Sequence, residues 1–455
     1  MSERKRIYLC LAHMSEDGME QKYVKEAFDT NWVVPLGPNV NGFEKDLEEF
    51  VNTNRSNDTN LNKRVVALSA GTAAVHLGLL NCGVKPGDEV IVQSFTFCAS
   101  THPVTYLGAT PVLVDSEPDT WNIDPELLEK AIVDRKERTG KYPAAIVPVA
   151  LYGMPYKADR IMEIANKYGI PVVEDAAEGF GSRYKGQVLG TFGKYGVLSF
   201  NGNKMITTSG GGALITANDD EWREIMMYAT QYRESYPYYQ HEKIGYNYRM
   251  SNICAGIGRG QMTVVNDHLT HHKHVQKMYE ELLANVPGVH VHSQPTTDYT
   301  DGTDKKPVFD SNYWLCTITI DENVKVKGQE DAYKTIVTGA VGGAAGVIHA
   351  AASAHTDCEP NANVEAMRVA LDQAQIEARP VWKPMHKQPC YCRGKMEEVR
   401  CKNYSVITSE TSIAYVNGVS EALFKVGMCL PAGPYVTDDD VRYIVDTIKA
   451  AIERA

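Results

Sequence analysis

Long apolar runs and dense basic runs are both missing from this sequence. No stretch is apolar for long enough to cross a membrane, and the first residues have no apolar core of the kind that a signal peptide needs. The formal net charge is −11, and no row of cations is present that could neutralise the phosphates of a nucleic acid. We therefore expect a cytoplasmic protein with no nucleic-acid partner and no membrane partner.

A metal-binding pattern is also missing. The ten cysteines are expected to be reduced thiols, because no secretory signal accompanies them. One cluster contains imidazole and thiol groups of the kind that bind zinc: His386, Cys390, Cys392 and Cys401. Its spacing matches no common zinc site, so ordinary thiols are the favoured interpretation. A second group, in which His268 and His272 share a helix face, lacks the Glu of a His-Glu-x-x-His site and predicts a solvated face. We predict no metal.

Short apolar segments alternate with helical patterns in the first half of the chain. The strand candidates are rich in β-branched residues and lie at 65–69, 89–93, 111–115, 144–149, 171–174, 197–200 and 213–216. Helix signals at 72–80 and 159–168 lie between them, so we predict a mostly parallel sheet with helices on both faces.

The pattern changes near residue 265, where a long polar helix begins. A strand at 312–320 follows, and then a helix and a strand that end near Trp382. A chain of 455 residues exceeds what one compact core usually uses. We therefore predict a large domain at 1–265 and a smaller domain at 266–455, with a Gly- and Ala-rich insertion near 338–354.

Polar motifs follow three of the predicted strands, at the edge where parallel sheets bind ligands. Gly71 and Thr72 open a helix and could offer N–H groups to a phosphate, or serve the turn geometry alone. Asp175 could cap a helix, bind a metal or pair with a cationic ring nitrogen. Lys204 could be solvated or could form an imine. Together these residues supply the phosphate anchor, pyridinium partner and amine that a pyridoxal phosphate site needs.

Several stretches carry a resemblance to one family over nearly the whole chain. They are residues 31–37, 68–74, 174–178, 199–204, 245–251, 379–386 and 429–433. The sequence resembles the sugar-nucleotide aminotransferases of the DegT/DnrJ/EryC1/StrS family, a branch of the fold type I, aspartate-aminotransferase-like enzymes. Residues 200–212 and 382–386 are most similar to the bacillosamine-type UDP-4-keto-6-deoxy-sugar aminotransferases. The resemblance implies an α/β fold, with a mixed, mostly parallel sheet in a large domain and a smaller α/β domain.

The resemblance also implies pyridoxal 5′-phosphate as the cofactor. Lys204 matches the catalytic lysine that carries it as a Schiff base, and Asp175 matches the carboxylate that keeps the pyridine nitrogen protonated. The other positions that match cofactor-binding residues are Gly71, Thr72, Phe97, Ala177, Glu178, Ser199, Asn201 and Asn247. Phe97 would stack on the ring, with a plain core position as the alternative. Asn247 matches a residue that reaches the phosphate from the partner subunit, which implies a homodimer with shared sites.

The implied reaction is a two-stage transamination with glutamate as the amino donor. Its acceptor would be a nucleotide-linked 4-keto-6-deoxy sugar, most specifically UDP-2-acetamido-4-keto-2,6-dideoxyhexose, which gives a 4-amino sugar nucleotide for glycan biosynthesis. Lys204 would shuttle the proton. The stretches that border the substrate entrance in relatives contain the predicted substrate-binding residues Arg249, Trp314, Lys383 and His386. Two alternatives stay open: a sugar dehydratase of the same family, whose lysine is commonly replaced by His, and a non-catalytic sugar-nucleotide-binding or regulatory protein.

Overall fold

The computed structural model describes residues 5–53, 62–301, 304–333 and 358–453. Its α-helices are α1 (Met19–Asp29), α2 (Pro38–Val51), α3 (Gly71–Asn81), α4 (His102–Tyr106), α5 (Pro125–Thr139), α6 (Ala158–Tyr168), α7 (Asp219–Ala229), α8 (Asn252–Met262), α9 (Val265–Leu283), α10 (Ala362–Gln373), α11 (Val419–Val426) and α12 (Asp438–Ala451). The predicted insertion near 338–354 lies outside the described residues. Within the described part, no helix has the length and apolar character needed to span a membrane.

The strands are mostly short. They are β1 (Arg64–Leu68), β2 (Glu89–Gln93), β3 (Thr110–Val114), β4 (Ala145–Val147), β5 (Val173–Asp175), β6 (Arg183–Tyr184), β7 (Gln187–Val188), β8 (Tyr195–Ser199), β9 (Gly212–Thr216), β10 (Val289–Val291), β11 (Asp298–Asp301), β12 (Asp304–Pro307), β13 (Phe309–Asp310), β14 (Cys316–Ile320), β15 (Arg379–Pro380), β16 (Glu397–Arg400), β17 (Ser405–Thr408), β18 (Ile413–Val416) and β19 (Gly427–Leu430). All the strands predicted between residues 65 and 216 are present as β1–β5, β8 and β9; β2 has the predicted bounds and the others have shifted ends.

The main sheet is mixed, with a parallel centre. In one part the order is β16-β17-β18-β3-β2-β4, and in the other it is β1-β9-β8-β5. Parallel bridges between Ile146 and Val172 and between Val149 and Asp175 join β4 to β5. The strands β18, β3, β2, β4, β5 and β8 therefore run parallel side by side, while the outer pairs are antiparallel. The predicted α/β architecture is confirmed.

The helices that return between the parallel strands begin and end at recognisable residues. Asp124 accepts hydrogen bonds from the N–H groups of Glu126 and Leu127 and so caps α5. Gly169, which follows α6, has a left-handed φ of 66° that costs glycine little. Short connections of this kind place the carboxyl ends of the parallel strands at one edge.

A second, antiparallel sheet has its own core. Its order is β10-β14-β19-β15. Buried residues of this sheet and of helices α9, α10 and α12 form one cluster, which includes Tyr279, Ile318, Met367 and Ile444. The long helix predicted after residue 265 is α9. Its histidine face is a correction, because His268 and His272 are buried and their Nδ1 atoms lie 3.2 and 3.0 Å from the carbonyl oxygens of Met205 and Tyr313.

Two parts of the chain cross the predicted boundary between residues 265 and 266. Strand β18 pairs in parallel with β3, so the hairpin β16–β17 and β18 extend the main sheet. Near the other end of the chain, Ile7 pairs with Ile376, and its N–H donates to the carbonyl of Gln375 at 2.8 Å. The two-domain division stays a prediction, and these pairings show that neither half would be a continuous segment.

Candidate active site

A cavity of about 340 Å³ opens at the carboxyl ends of β1, β2, β4, β5 and β8. Most of the sequence-predicted cofactor positions meet there. The predicted residues that border the cavity are Gly71, Thr72, Phe97, Asp175, Ala177, Glu178, Ser199, Asn201, Lys204 and Trp314. This is the edge of a parallel sheet at which ligands bind, so the convergence follows from the topology.

Asp175 lies at the end of β5 and is buried. The Ser100 hydroxyl donates to its Oδ2 at 2.6 Å, and the Ala177 N–H donates to its Oδ1 at 3.1 Å. Burial raises the pKa of Asp175 above its ordinary value, while the Ser100 hydrogen bond, the Ala177 N–H and the charge of Lys204 lower it by a smaller amount. A cationic ligand beside this carboxylate would supply the compensation that the protein leaves incomplete.

The neighbouring acid, Glu174, has a structural role. It points to the opposite side of the strand, as alternation along a strand requires. Its Oε2 accepts the Tyr156 hydroxyl at 2.6 Å and the Gly190 N–H at 2.9 Å. Its Oε1 accepts the Gly193 N–H at 2.5 Å. Of the two adjacent acids, only Asp175 borders the cavity.

Lys204 is largely buried, and its amine lies between a carboxylate and an aromatic ring. Its Nζ is 3.5 Å from Glu178 Oε1 and 4.1 Å from the centre of the Trp314 ring. Burial raises the pKa of Glu178, with the charge of Lys204 and the Tyr152 N–H acting against it. Lys204 is thus held among groups that attract a cation, at the wall of the cavity.

Tyr152 has a strained backbone that positions Glu178. Its φ is 53°, in the left-handed region that a bulky residue rarely adopts. In this conformation its N–H donates to Glu178 Oε2 at 2.7 Å, and its hydroxyl accepts the Trp382 N–H at 2.6 Å. Strain of this kind is found where the surrounding structure fixes a functional group.

The start of α3 forms a narrow cup. Ala70 has an extended conformation, and no side chain caps the first turn of the helix. A Cβ at Gly71 would lie 3.0 Å from the Cβ of Ser199, and one at Gly212 would lie 2.4 Å from the backbone of Ala70. Because the glycines keep the backbones close, the first N–H groups of α3 remain directed at the cavity, where an anion would satisfy them.

Phe97 borders the mouth of the cavity. Half of its surface is exposed, which excludes the core position considered for it. Its ring centre lies 5.6 Å from that of Trp382, which is itself 5.8 Å from Tyr152. Phe97 therefore presents a ring face on which a planar ligand could stack.

Arg249 does not border the cavity, and its predicted substrate contact stays a prediction. Its guanidinium pairs with Glu44, and both side chains are more than nine-tenths buried. The same guanidinium donates to the Ala67 carbonyl at 3.0 Å, while Glu44 accepts the Ala67 N–H at 2.8 Å. Arg249 and Glu44 together bind the carbonyl and the N–H of Ala67 and so fix the end of β1.

His386 does not border the cavity but lies in a separate polar cluster, and its predicted substrate contact also stays a prediction. Its Nδ1 is 2.7 Å from the Ser94 hydroxyl, and its Nε2 is 3.1 Å from Glu421 Oε1. The Lys387 amine lies 3.1 Å from the same carboxylate. The hydrogen bond from His386 lowers the pKa of Glu421 to about 2, with the charges of His386 and Lys387 adding to it and burial opposing it.

Three further predicted positions have different outcomes. Trp314 borders the cavity, but its ring is 1% exposed and lies beneath Lys204 instead of at an entrance. Lys383 is half-buried one residue beyond Trp382 and does not border the cavity, so its substrate contact stays a prediction. Asn247 is exposed and accepts a 3.2 Å hydrogen bond from Gln231, so its role toward a partner subunit also stays a prediction.

Some residues of the site were not predicted from the sequence. Ser100 is fully buried, and its hydroxyl donates to Asp175. The Thr96 hydroxyl lies 2.8 Å from the Ser100 hydroxyl and forms a hydrogen bond with it. Neither belongs to a motif that pointed to this role. Asn203 and Trp382 also border the cavity, and both lie inside motifs already noted. Among the residues that the structure describes, no group of three or more His, Cys, Asp or Glu side chains could hold a metal ion.

The cavity fits pyridoxal phosphate in the chemistry of its groups. The glycine-walled cup and uncapped N–H groups suit a phosphate. The buried Asp175 carboxylate suits a protonated ring nitrogen, and Lys204 is an amine within the same cavity. Phe97 offers the ring face.

Comparisons with known proteins agree with this chemistry. The profile of the DegT/DnrJ/EryC1/StrS aminotransferase family matches residues 14–343. EpsN of Bacillus subtilis (strain 168), which is named provisionally as a pyridoxal phosphate-dependent aminotransferase, is 38% identical over 98% of this chain and 95% of its own length. GDP-perosamine synthase of Caulobacter vibrioides is 32% identical over 100% of this chain and 99% of its own length.

A solved structure shows the same fold. It is a DegT DnrJ EryC1 StrS aminotransferase from Brucella abortus, 24% identical, with a TM-score of 0.74 and 95% of each chain covered. The chain thus belongs to the DegT/DnrJ/EryC1/StrS aminotransferase family, and it is a pyridoxal phosphate-dependent sugar aminotransferase.

Proposed function

We propose that this enzyme transfers the amino group of glutamate to the C4 ketone of a nucleotide-linked 4-keto-6-deoxy sugar, with Lys204 as its catalytic residue. The observation that carries the proposal is the position of the Lys204 amine in the cavity, beside Glu178 and in the same enclosure as the buried Asp175. The resemblance of residues 200–212 and 382–386 to bacillosamine-type enzymes supports UDP-2-acetamido-4-keto-2,6-dideoxyhexose as the sugar nucleotide.

Each residue of the cavity has a part in this reaction. Gly71, Thr72 and Ser199 would hold the cofactor phosphate, Asp175 its ring nitrogen and Phe97 its ring face. Bound there, pyridoxal phosphate supplies a carbonyl group that accepts an amine and a ring that takes up electrons from the carbon losing its proton.

Lys204 would hold the cofactor through its Nζ until the amino donor takes its place. Its released Nζ is the base that takes the proton from the Cα of glutamate. In the second stage the same nitrogen moves a proton to C4 of the sugar, which becomes the carbon that bears the new amine. Because the lysine starts out attached at the reacting centre, it stays within reach of both carbons.

A shared site in a homodimer is part of the proposal. Asn247 is exposed, and apolar side chains are exposed on two segments of the same chain: Trp32 and Leu36 on one, Tyr238 and Ile244 on the other. Exposed apolar surface of this extent favours a protein partner, and a second copy would cover it. Sizing under native conditions checks this, since an active monomer would contradict the role of Asn247.

Replacing Lys204 tests the proposed role. Lys204→Ala is expected to lose the yellow colour of the reconstituted enzyme and all turnover. Lys194→Ala is the matched control, because Lys194 has similar contacts but lies outside the cavity. Its Nζ is 3.2 Å from Glu221 Oε1 and 5.4 Å from the centre of the Tyr195 ring. Full turnover in Lys204→Ala would place the amine elsewhere.

The nucleotide is tested with a panel of UDP-, GDP- and dTDP-linked 4-keto sugars, with glutamate as donor and mass spectrometry as the readout. The relative named GDP-perosamine synthase makes a GDP-linked sugar the second candidate. Preference for the GDP sugar would overturn the UDP assignment while leaving the reaction class intact. Dehydration of the sugar, or binding without turnover, would favour one of the two alternative functions, although the presence of Lys204 argues against both.

A further inference from the structure

The indole ring of Trp314 lies under the amine of Lys204. The Nζ is 4.1 Å from the ring centre, and the tryptophan is only 1% exposed. A cation over the face of an indole is attracted by the electrons of the ring, and the attraction grows when water is excluded. Glu178 Oε1 approaches the same amine at 3.5 Å, so the amine contacts two groups that attract a cation.

Trp314 is held in one position by its own backbone. Its N–H donates to Asn312 Oδ1 at 2.8 Å, and the Asn312 amide donates to the carbonyls of Glu178 and Phe180, both at 2.9 Å. Tyr313, which lies between Asn312 and Trp314, has a left-handed φ of 47°. These bonds tie the segment before β14 to the loop that carries Glu178, so the ring is a fixed platform.

A second bond joins Trp314 to the segment that carries Lys204. The indole N–H donates to the carbonyl of Asn203 at 2.6 Å. Asn203 directly precedes Lys204, so this bond places the lysine backbone, while the ring face contacts the amine. The two contacts can be separated experimentally, because phenylalanine keeps a ring face and has no N–H.

We infer that Trp314 is a positioning residue that receives the ammonium group of Lys204 whenever the lysine is not bonded to the cofactor. This inference rests on the proposed role of Lys204. When Lys204 takes the proton from glutamate, its amine becomes an ammonium group, which the ring and Glu178 attract. Lys204 bonded to the cofactor has no free ammonium group to place there. Trp314 therefore stabilises the released state of the lysine over the bonded state and keeps the proton donor inside the cavity.

The contact itself is tested without cofactor, in the full-length protein. Tryptophan emission of the wild type is compared with that of Lys204→Gln, and the difference is measured again in Trp314→Phe and Trp222→Phe backgrounds. Trp222 is the matched control, because it makes the same two kinds of contact. Its indole N–H donates to the Val65 carbonyl at 3.1 Å, and the Arg64 guanidinium lies 4.8 Å from its ring centre. The difference should persist with Trp222→Phe and disappear with Trp314→Phe. Its persistence in Trp314→Phe would overturn the inference.

The contact should also shift the equilibrium between the bonded and the released state of Lys204, in addition to any effect on the reaction rate. The loaded enzyme is titrated with mixtures of glutamate and 2-oxoglutarate at constant pH, and the ratio that bleaches half of the yellow colour is recorded. Trp314→Leu should need a ratio about tenfold higher than the wild type, the scale of a desolvated cation–π contact. Trp314→Phe should lie between them, and Trp222→Leu should match the wild type.

The outcomes separate this inference from the proposed function. An unchanged half-bleaching ratio in Trp314→Leu, with cofactor content and circular dichroism intact, would overturn the role of Trp314 alone. Failure of glutamate to bleach the wild type would overturn the proposed function, and the emission experiment would still report whether the amine contacts Trp314. A purely structural role would lower cofactor content without moving the ratio.

Discussion

Two polar clusters of this enzyme, one buried at the cavity and one partly exposed, differ in how completely their charges are compensated. The cavity cluster consists of Asp175, Glu178 and Lys204, and burial raises the pKa of both of its carboxyl groups. The His386 cluster consists of Ser94, His386, Lys387 and Glu421, and its carboxyl has a pKa lowered to about 2. Glu421 has His386 and Lys387 as partners, whereas the cavity cluster borders a cavity of about 340 Å³. A raised pKa alone does not mark the site, because burial also raises the pKa of the structural carboxyls Glu174 and Glu44. The cavity beside Asp175 and Glu178 is what distinguishes the binding site.

The adjacent acids on β5 give the largest test of this contrast. Asp175→Asn is expected to lower kcat by about 100-fold or more, the scale for losing one charged group in a site that excludes water. Glu174→Gln should lower stability and leave kcat per folded molecule near the wild-type value, since Glu174 bonds only to protein groups. Steady-state kinetics and thermal unfolding of both variants measure the split. A large loss of kcat in Glu174→Gln would contradict the assignment of Glu174 to a structural role and of Asp175 alone to the site.

The ion pair between Arg249 and Glu44 is a second structural cluster, and it differs from the His386 cluster in that burial raises the pKa of its carboxyl. Arg249→Met leaves the buried Glu44 carboxylate without its partner and should cost about 3 kcal/mol of unfolding free energy. The double variant with Glu44→Leu should recover much of this loss, because neither charge then remains buried. Urea denaturation measures both. A raised KM for the sugar nucleotide at unchanged stability would instead support the predicted substrate contact of Arg249.

The cofactor-free enzyme should be more stable without the Asp175 charge. Because burial raises its folded pKa, Asp175 costs no stability while it is protonated, below its unfolded pKa of about 3.9. The cost appears as pH rises through the folded pKa. Asp175→Asn should therefore gain about 1–2 kcal/mol over the wild type at pH 8 and nothing at acid pH.

The matched variant for that experiment is Ser100→Ala. It removes the hydroxyl that donates to Asp175 and keeps the charge, so it should destabilise the cofactor-free protein. Thermal unfolding across pH, with and without pyridoxal phosphate, measures both. Equal pH profiles for the wild type and Asp175→Asn would mean that the carboxylate is already compensated.

The smallest effect is expected at Glu421. Its lowered folded pKa contributes stability above the unfolded value, and this contribution is lost as pH falls from about 4.5 toward the folded pKa of about 2. Since the side chain is partly exposed, solvent screening reduces the effect, and Glu421→Gln should cost about 1 kcal/mol at pH 7. In denaturant titrations, the difference in unfolding free energy between the wild type and Glu421→Gln should be smaller at pH 4 than at pH 7. The variant should keep the wild-type kcat.

The comparison also explains which features the sequence could predict. The strands with β-branched residues and the polar motifs after them are local patterns, so the sheet, Lys204, Asp175 and the glycine cup could be read in advance. Ser100 has no such pattern, since its role depends on the distance between two strands that only the fold sets. The pairing of Arg249 with Glu44 and of His386 with Glu421 could not be predicted, because it depends on residues that are far apart in the sequence. Trp314 was predicted at the entrance, but a left-handed turn at Tyr313 places it beneath the lysine.

The pairing of β18 with β3 has a consequence for synthesis of the chain. Ile413 lies opposite Val112, so the strand that covers this side of β3 is made about 300 residues after β3 itself. Until then, a nascent chain on the ribosome presents an open strand edge next to a core that is otherwise ready to form. A fragment that ends at residue 265 would keep that edge open, and self-association would compete with folding for it.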